Sequence, residues 1–163
     1  MKHPDLFNPD LKKRKKPVLL TSRSRKYLER SGFIVANVER SLNVLKDKSN
    51  PFGARFINRF DAFSIADLIA CKADVIGTTY VQSTDFGHAA DHREKILAAR
   101  AAPILLKAEN RIELHLWKSY KKNGRKLWRL NVLRLCLSAQ GPEFRDPEET
   151  WFYDNMQDYD DRF

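Results

Sequence analysis

The sequence predicts a mixed α/β domain with one central sheet of about five strands and helices packed against it. Three observations predict it. Helical and extended patterns follow one another in the order helix, three strands, helix, two strands. Asn123-Gly124 stands between two alternating apolar runs, and both residues tolerate the positive φ of a tight hairpin turn. A length of 163 residues suffices for one buried core with tails.

Residues 1–20 carry Pro4, Pro9, Pro17 and the run Lys12, Lys13, Arg14, Lys15, Lys16, the composition of an extended basic arm. Such an arm is either a solvated tail or a phosphate-binding element. "TSRSRKYLERSG" predicts a helix with Thr21 or Ser22 as N-cap and Gly32 as stop. Leu20, Tyr27, Leu28 and Ser31 would face inward, and Arg23, Arg25, Lys26 and Arg30 outward. "FIVANVER" is rich in β-branched and aromatic residues and predicts a strand with Phe33, Val35, Asn37 and Glu39 on one face. "SLNVLKDKSNPFGARFINRFD" reads as a loop broken by Asn50-Pro51-Phe52-Gly53.

Two apolar strands follow, at about 65–71 and 77–83. "HAADHREKILAARA" predicts a helix with Ala89, Ile96 and Leu97 inward, interrupted by Pro103. "RIELHLW" alternates, setting Ile112, Leu114 and Leu116 inward against Glu113, His115 and Trp117. "LWRLNVLRLCL" is the return strand after the Asn-Gly turn. Trp117, Tyr120 and Trp128 are interleaved with Lys118, Lys121, Lys122, Arg125 and Lys126. The rings suit cross-strand pairing, and the basic tip suits phosphates. The domain is expected over 21–140, followed by an acidic, aromatic tail over 141–163.

Charge divides along the same boundary. Residues 141–163 hold eight acids against Arg145 and Arg162, a net of −6; the overall charge of +9 therefore leaves +15 on residues 1–140. A body this basic attracts polyanions, of which nucleic acid is the commonest. The tail could fold back onto that body and compete for it. Cys71 and Cys136 lie in apolar runs without metal-ligand spacing, as buried free thiols of a reducing compartment do. No signal-peptide core or membrane-length apolar run occurs, so a soluble cytoplasmic protein without a membrane partner is expected.

The stretch "FSIADLIACKADVIGTTYVQST" carries the chemistry. Asp67 opens the first strand, and a buried carboxylate needs a partner. Gln82 and Thr84 share one face of the second strand. A carboxylate with further oxygen ligands at strand ends is what Mg²⁺ or Mn²⁺ requires; an isolated aspartate there is also a common cap or ion-pair partner. Asp61 and Glu39 are additional acids near strand ends. His88 and His92, spaced i, i+4, could hold a transition metal or serve as a base, or could simply begin a solvated helix.

"TSRSRKYLERSGFIVANVER", "NRFDAFSIADLIA", "VQST", "REKI" and "RIELHLWKSY…GRKLWRL" together resemble a group of small phage and bacterial proteins of the PD-(D/E)XK nuclease superfamily. Holliday junction resolvases and restriction-type endonucleases are its distant relatives, and the likeness spans about residues 21–135. It implies a restriction-endonuclease-like core and Mg²⁺ or Mn²⁺ held by an early glutamate, an aspartate opening the second strand and a (D/E)-x-K on the third. Carried over, Glu39 is the early acid, Asp67 the aspartate, Gln82 the (D/E) position and Thr84 the lysine position, with Asp61 a further acid of the group. The missing lysine would be replaced by Lys95 or Arg93 from the following helix.

The resulting expectation is a metal-dependent endonuclease acting on double-stranded or branched DNA in a bacterial or phage-infected cell. Lys12 to Lys16, Arg23, Arg25, Lys26, Arg59 and Arg93 would hold the backbone, and a homodimer is common in the superfamily. Two alternatives stand beside it: a nucleic-acid-binding protein that keeps the fold without the chemistry, favoured by Thr84, and a phage structural or assembly protein.

Overall fold

The computed structural model describes residues 19–38, 40–43, 57–146 and 159–160, with 40–43, 57–60 and 159–160 as backbone alone. The chain runs through helix α1 (Leu20–Arg30), strands β1 (Ile34–Asn37), β2 (Arg40–Asn43), β3 (Ile57–Phe60), β4 (Leu68–Cys71) and β5 (Thr79–Asp85). A 3-10 turn (Phe86–His88) leads into helices α2 (Ala89–Ala98) and α3 (Ala101–Lys107). Strands β6 (Arg111–Lys122), β7 (Arg125–Ser138), β8 (Gly141–Arg145) and β9 (Tyr159–Asp160) complete it.

The main sheet is open and mixed, ordered β1-β4-β5-β6-β7-β8, with β9 alongside β7. Its neighbours are antiparallel except β5 and β6, which run parallel. A parallel pair needs a crossover, and α2 with α3 supplies it. The sheet is therefore larger than the expected five strands. It continues past residue 140 through β8, and β9 brings part of the acidic segment against Leu127 and Trp128. The segment expected as a loop after residue 40 contributes β2 and β3, an antiparallel pair outside the main sheet.

Helices cover both faces. On one, Ile96 of α2 and Ala102 of α3 pack on Ile112, Leu114, Leu116 and Leu135. On the other, Leu28 of α1 packs on Leu68, Ala70 and Val81, while Leu20 and Tyr27 meet Trp117, Leu130 and Val132. Trp117 Nε1 donates to Ser24 Oγ at 2.9 Å, satisfying the indole's only donor inside the core.

This two-sided cover corrects the outward placement of Glu113, His115 and Trp117. All three are buried, because β6 is an interior strand with α1 against the face they occupy. Burial of Glu113 is made tolerable by Arg134 Nη2 at 3.0 Å and His115 Nε2 at 3.4 Å. Although desolvation opposes it, these partners hold the Glu113 carboxyl below its ordinary range.

Other expectations shift for equally local reasons. The α1 helix starts at Leu20, with neither Thr21 nor Ser22 as N-cap, since packing of Leu20 in the core sets its first turn. Arg23, expected outward, is buried with its guanidinium 4.5 Å from the Trp128 ring centre. Leu97 is exposed rather than inward. Pro103 sits in the first turn of α3, where its missing N–H leaves no helical bond unmade. The Asn123-Gly124 hairpin forms as expected, with φ of 51° and 73° at its two residues.

Candidate active site

Sheet geometry brings the carboxylate-bearing stretch together at one end. Asp67 directly precedes β4; its N–H donates to Val81 O and its carbonyl accepts from Val38 N–H, both at 2.9 Å. This fixes its backbone between β1 and β5. From β5, Gln82 and Thr84 point to the α2 side, the side on which their partners Leu114 and Leu116 lie. Asp67, Gln82 and Thr84 are all at least 95% buried and line one cavity of about 470 Å³.

The Asp67 carboxylate is tightly held. Its Oδ2 accepts from Gln82 Nε2 at 2.8 Å and from Ser83 N–H at 2.9 Å. An ionised carboxylate only accepts, so the Gln82 amide must turn its NH₂ toward Asp67. Its other end, Oε1, is buried and has no hydrogen-bond partner among the described residues. An unsatisfied buried acceptor costs about 1–3 kcal/mol, so this atom calls for a donor or a cation.

Asp61 and Lys95 line the same cavity. Lys95 reaches back from α2 and donates to Asp61 Oδ2 at 2.5 Å, tying the helix to the segment before β4. The 3-10 turn adds a second constellation. Asp85 Oδ1 accepts from the N–H groups of Gly87 and His88 at 2.8 and 3.1 Å and lies 3.0 Å from His88 Nδ1. Partial desolvation works against ionisation, yet the His88 ring and these N–H groups keep Asp85 below the usual carboxylate range. Because the carboxylate only accepts, His88 presents an N–H at Nδ1 to Asp85, which directs Nε2 away from it. His92, burial first and then Lys95 and His88, has its pKa lowered and is neutral at pH 7.

Leu20 and Thr21 close the cavity from the start of α1. That helix begins without a side-chain cap and without an acid in its first turn. Its positive end therefore lies at the cavity uncompensated by those means, an arrangement that favours anions.

The structure thus gathers Asp61, Asp67, Gln82, Thr84 and Lys95, and adds Asp85 beside His88 and His92. Sequence reading passed over Asp85, although an aspartate two residues before a glycine at a strand end is an N-cap signal. Arg93 stays outside the cavity, with its guanidinium 5.6 Å from the Phe144 ring centre. Arg25 pairs with Glu29 at 2.8 Å on the outer face of α1, where Lys26 is also exposed. Glu39 and Lys12 to Lys16 lie outside the described residues, as does the Arg59 side chain.

Among the described residues no three His, Cys, Asp or Glu side chains stand close enough to hold a metal. The cavity that Gln82 lines also carries the Asp61, Asp67 and Asp85 carboxylates and the Thr21, Ser83 and Thr84 hydroxyls, hard oxygen groups of the kind that suits Mg²⁺ or Mn²⁺. No helix among the described residues is long and apolar enough to cross a membrane. No family model matches the chain, and no curated protein or solved structure matches it.

Proposed function

We propose that the protein is a divalent-metal-dependent DNA endonuclease built on a restriction-endonuclease-like core. The observation that carries this reading is the buried Gln82 Oε1, left without a partner beside the fixed carboxylate of Asp67. Support also comes from position: in the main sheet Asp67 opens the second strand in chain order and Gln82 lies on the third.

Asp67 and Gln82 would hold the ion, with Glu39 as the early acid. A bound Mg²⁺ or Mn²⁺ would supply an activated water and neutralise charge on the scissile phosphate. The chain's own groups do the rest. Ser83 N–H and the Gln82 amide orient the Asp67 carboxylate. Lys95, held by Asp61, brings an ammonium to the cavity from α2, the charge that Thr84 cannot provide. The start of α1 attracts the phosphate, and His88, oriented by Asp85, accepts or returns a proton at Nε2.

A second reading keeps DNA binding and drops cleavage. It is favoured by Thr84 at the lysine position and by the engagement of Lys95 with Asp61. Labelled duplex, single-stranded, forked and four-way-junction DNA, incubated with Mg²⁺ or Mn²⁺, distinguish the two. The nuclease reading expects cleavage by wild type and none by Asp67→Ala. Binding without cutting, unchanged in the variant, selects the second reading.

A further inference from the structure

Among the described residues only two Phe, Tyr or Trp side chains are exposed, Phe63 at 59% and Phe86 at 51%. Single exposed rings are ordinary on a protein surface; the placement of these two is not. Phe63 stands between Asp61 and Asp67, and Phe86 between Asp85 and His88, four residues that line the cavity.

Strand β5 sets the rings at its two ends. Phe63 meets Tyr80 edge to face, with ring centres 6.0 Å apart and planes inclined by 60°. Phe86 follows Asp85, the last residue of the strand. Tyr80, Gln82 and Thr84 alternate onto one face, so the row that carries the unpartnered Gln82 Oε1 begins beside one ring and ends near the other. From Tyr80 to Asp85 the strand covers roughly 17 Å.

Phe63 is held in a conformation that a bulky residue rarely adopts. Its φ is 53° and that of Ser64 is 62°, both left-handed. Ile65 and Ala66, fully buried, anchor the turn, and Ile65 N–H donates to Ala62 O at 3.0 Å. The ring is therefore presented on a fixed backbone, which loses little freedom when a ligand stacks on it. At the other end, Lys118 sets an ammonium 5.5 Å from the centre of the Phe86 ring.

Between the rings the cavity is polar and charged. Asp67 and Gln82, each at least 95% buried, can be reached by a phosphate only from within it. Its volume of about 470 Å³ is that of a pocket for a small molecule the size of a nucleotide. Inside a duplex both faces of a base are covered by its neighbours. An unpaired nucleotide can offer its base to a ring and its phosphate to the cavity.

We propose that Phe63 and Phe86 are stacking platforms for unpaired bases on either side of the cavity, and that the site takes single-stranded or locally unpaired DNA. A protein partner fits less well, because rings at opposite ends of a strand, with a charged cavity between them, do not make one contiguous apolar patch. The proposal rests on the nuclease reading above for its phosphate site, but its test requires no cleavage.

The test is fluorescence anisotropy of the full chain with a labelled oligodeoxynucleotide, as a single strand and as its duplex, in EDTA and again in Ca²⁺. Phe63→Ala and Phe86→Ala should each weaken single-strand binding about 5-fold or more and duplex binding by less than about 2-fold. Phe63→Trp and Phe86→Trp, which keep a ring, should retain single-strand affinity. Phe63→Leu and Phe86→Leu, which keep only apolar bulk, should lose it as the alanine variants do. Ile104→Ala, an exposed apolar position outside the cavity lining, should change neither. Circular dichroism melts confirm that each variant is folded. Equal losses on single strand and duplex, or full affinity in the leucine variants, would overturn the platforms while leaving DNA binding intact. Wild type that binds neither form at about 50 mM salt, with or without Ca²⁺, would overturn both the platforms and the nucleic-acid reading.

Discussion

Gln82→Glu would set a second carboxylate where an amide now donates to Asp67 at 2.8 Å. At an effective dielectric of about 20, two charges at that separation repel by about 6 kcal/mol. Protonation is the cheaper escape: at pH 7 it costs a carboxyl of ordinary pKa about 3.7 kcal/mol. The pair would then share one proton, with one folded-state pKa raised above its unfolded value. Such a group's contribution is fully present below the unfolded pKa and is lost as pH rises. The variant should therefore match wild type near pH 4 and fall behind as pH climbs to 7. At about 2–4 °C per kcal/mol, the deficit at pH 7 is about 7–15 °C in Tm. Thermal melts by circular dichroism at pH 4 and pH 7 read it directly. Millimolar Mn²⁺ should narrow the gap by taking the place of the shared proton. An equal deficit at both pH values would mean a steric cause, and no deficit at either would refute the contact between positions 67 and 82.

Lys95→Ala should lower metal-dependent cleavage about 100-fold, the usual cost of losing one fixed charge at a reacting phosphate. Arg93→Ala should leave it unchanged; cleavage unaffected by both removes Lys95 from the chemistry. Gly77→Ala should destabilise the fold by about 2–4 kcal/mol in urea melts, because φ is +75° and a Cβ would stand 2.1 Å from Glu109 O. Glu113→Gln should cost about 3 kcal/mol at pH 7 by leaving Arg134 without its buried carboxylate partner. The Glu113 pKa is depressed in the fold, so its stabilisation is present above the ordinary value and fades as pH falls through the folded one. The gap in Tm between wild type and Glu113→Gln should accordingly shrink below about pH 4.5; a constant gap would show that the ion pair is not its source.

Local chemistry made some of this molecule legible in advance. Asn123-Gly124 admits positive φ, so the hairpin follows from two residues. Asp67, Gln82 and Thr84 could be set at one sheet end because strand alternation and the short connection between β4 and β5 leave few other arrangements. Tertiary cover is what alternation alone does not reveal. "RIELHLW" carries the pattern of a half-buried strand, yet Arg134 from β7 neutralises Glu113, and α1 then buries His115 and Trp117. A tryptophan among residues assigned to solvent was the available warning. The burial of Arg23 depends on Trp128, more than 100 positions away in sequence. Pro103 looked like an interruption because its place in a first turn, where proline is harmless, depends on the break at Ala99. Asp85 joined the site through capping of a turn too short to show periodicity.

The most direct test of the central claim is an anomalous difference map from crystals grown with Mn²⁺. The account predicts a peak within about 2.0–2.2 Å of an Asp67 carboxylate oxygen and of Gln82 Oε1. Ion density confined to other carboxylates, or a water donating to Gln82 Oε1 in the presence of Mn²⁺, would contradict it.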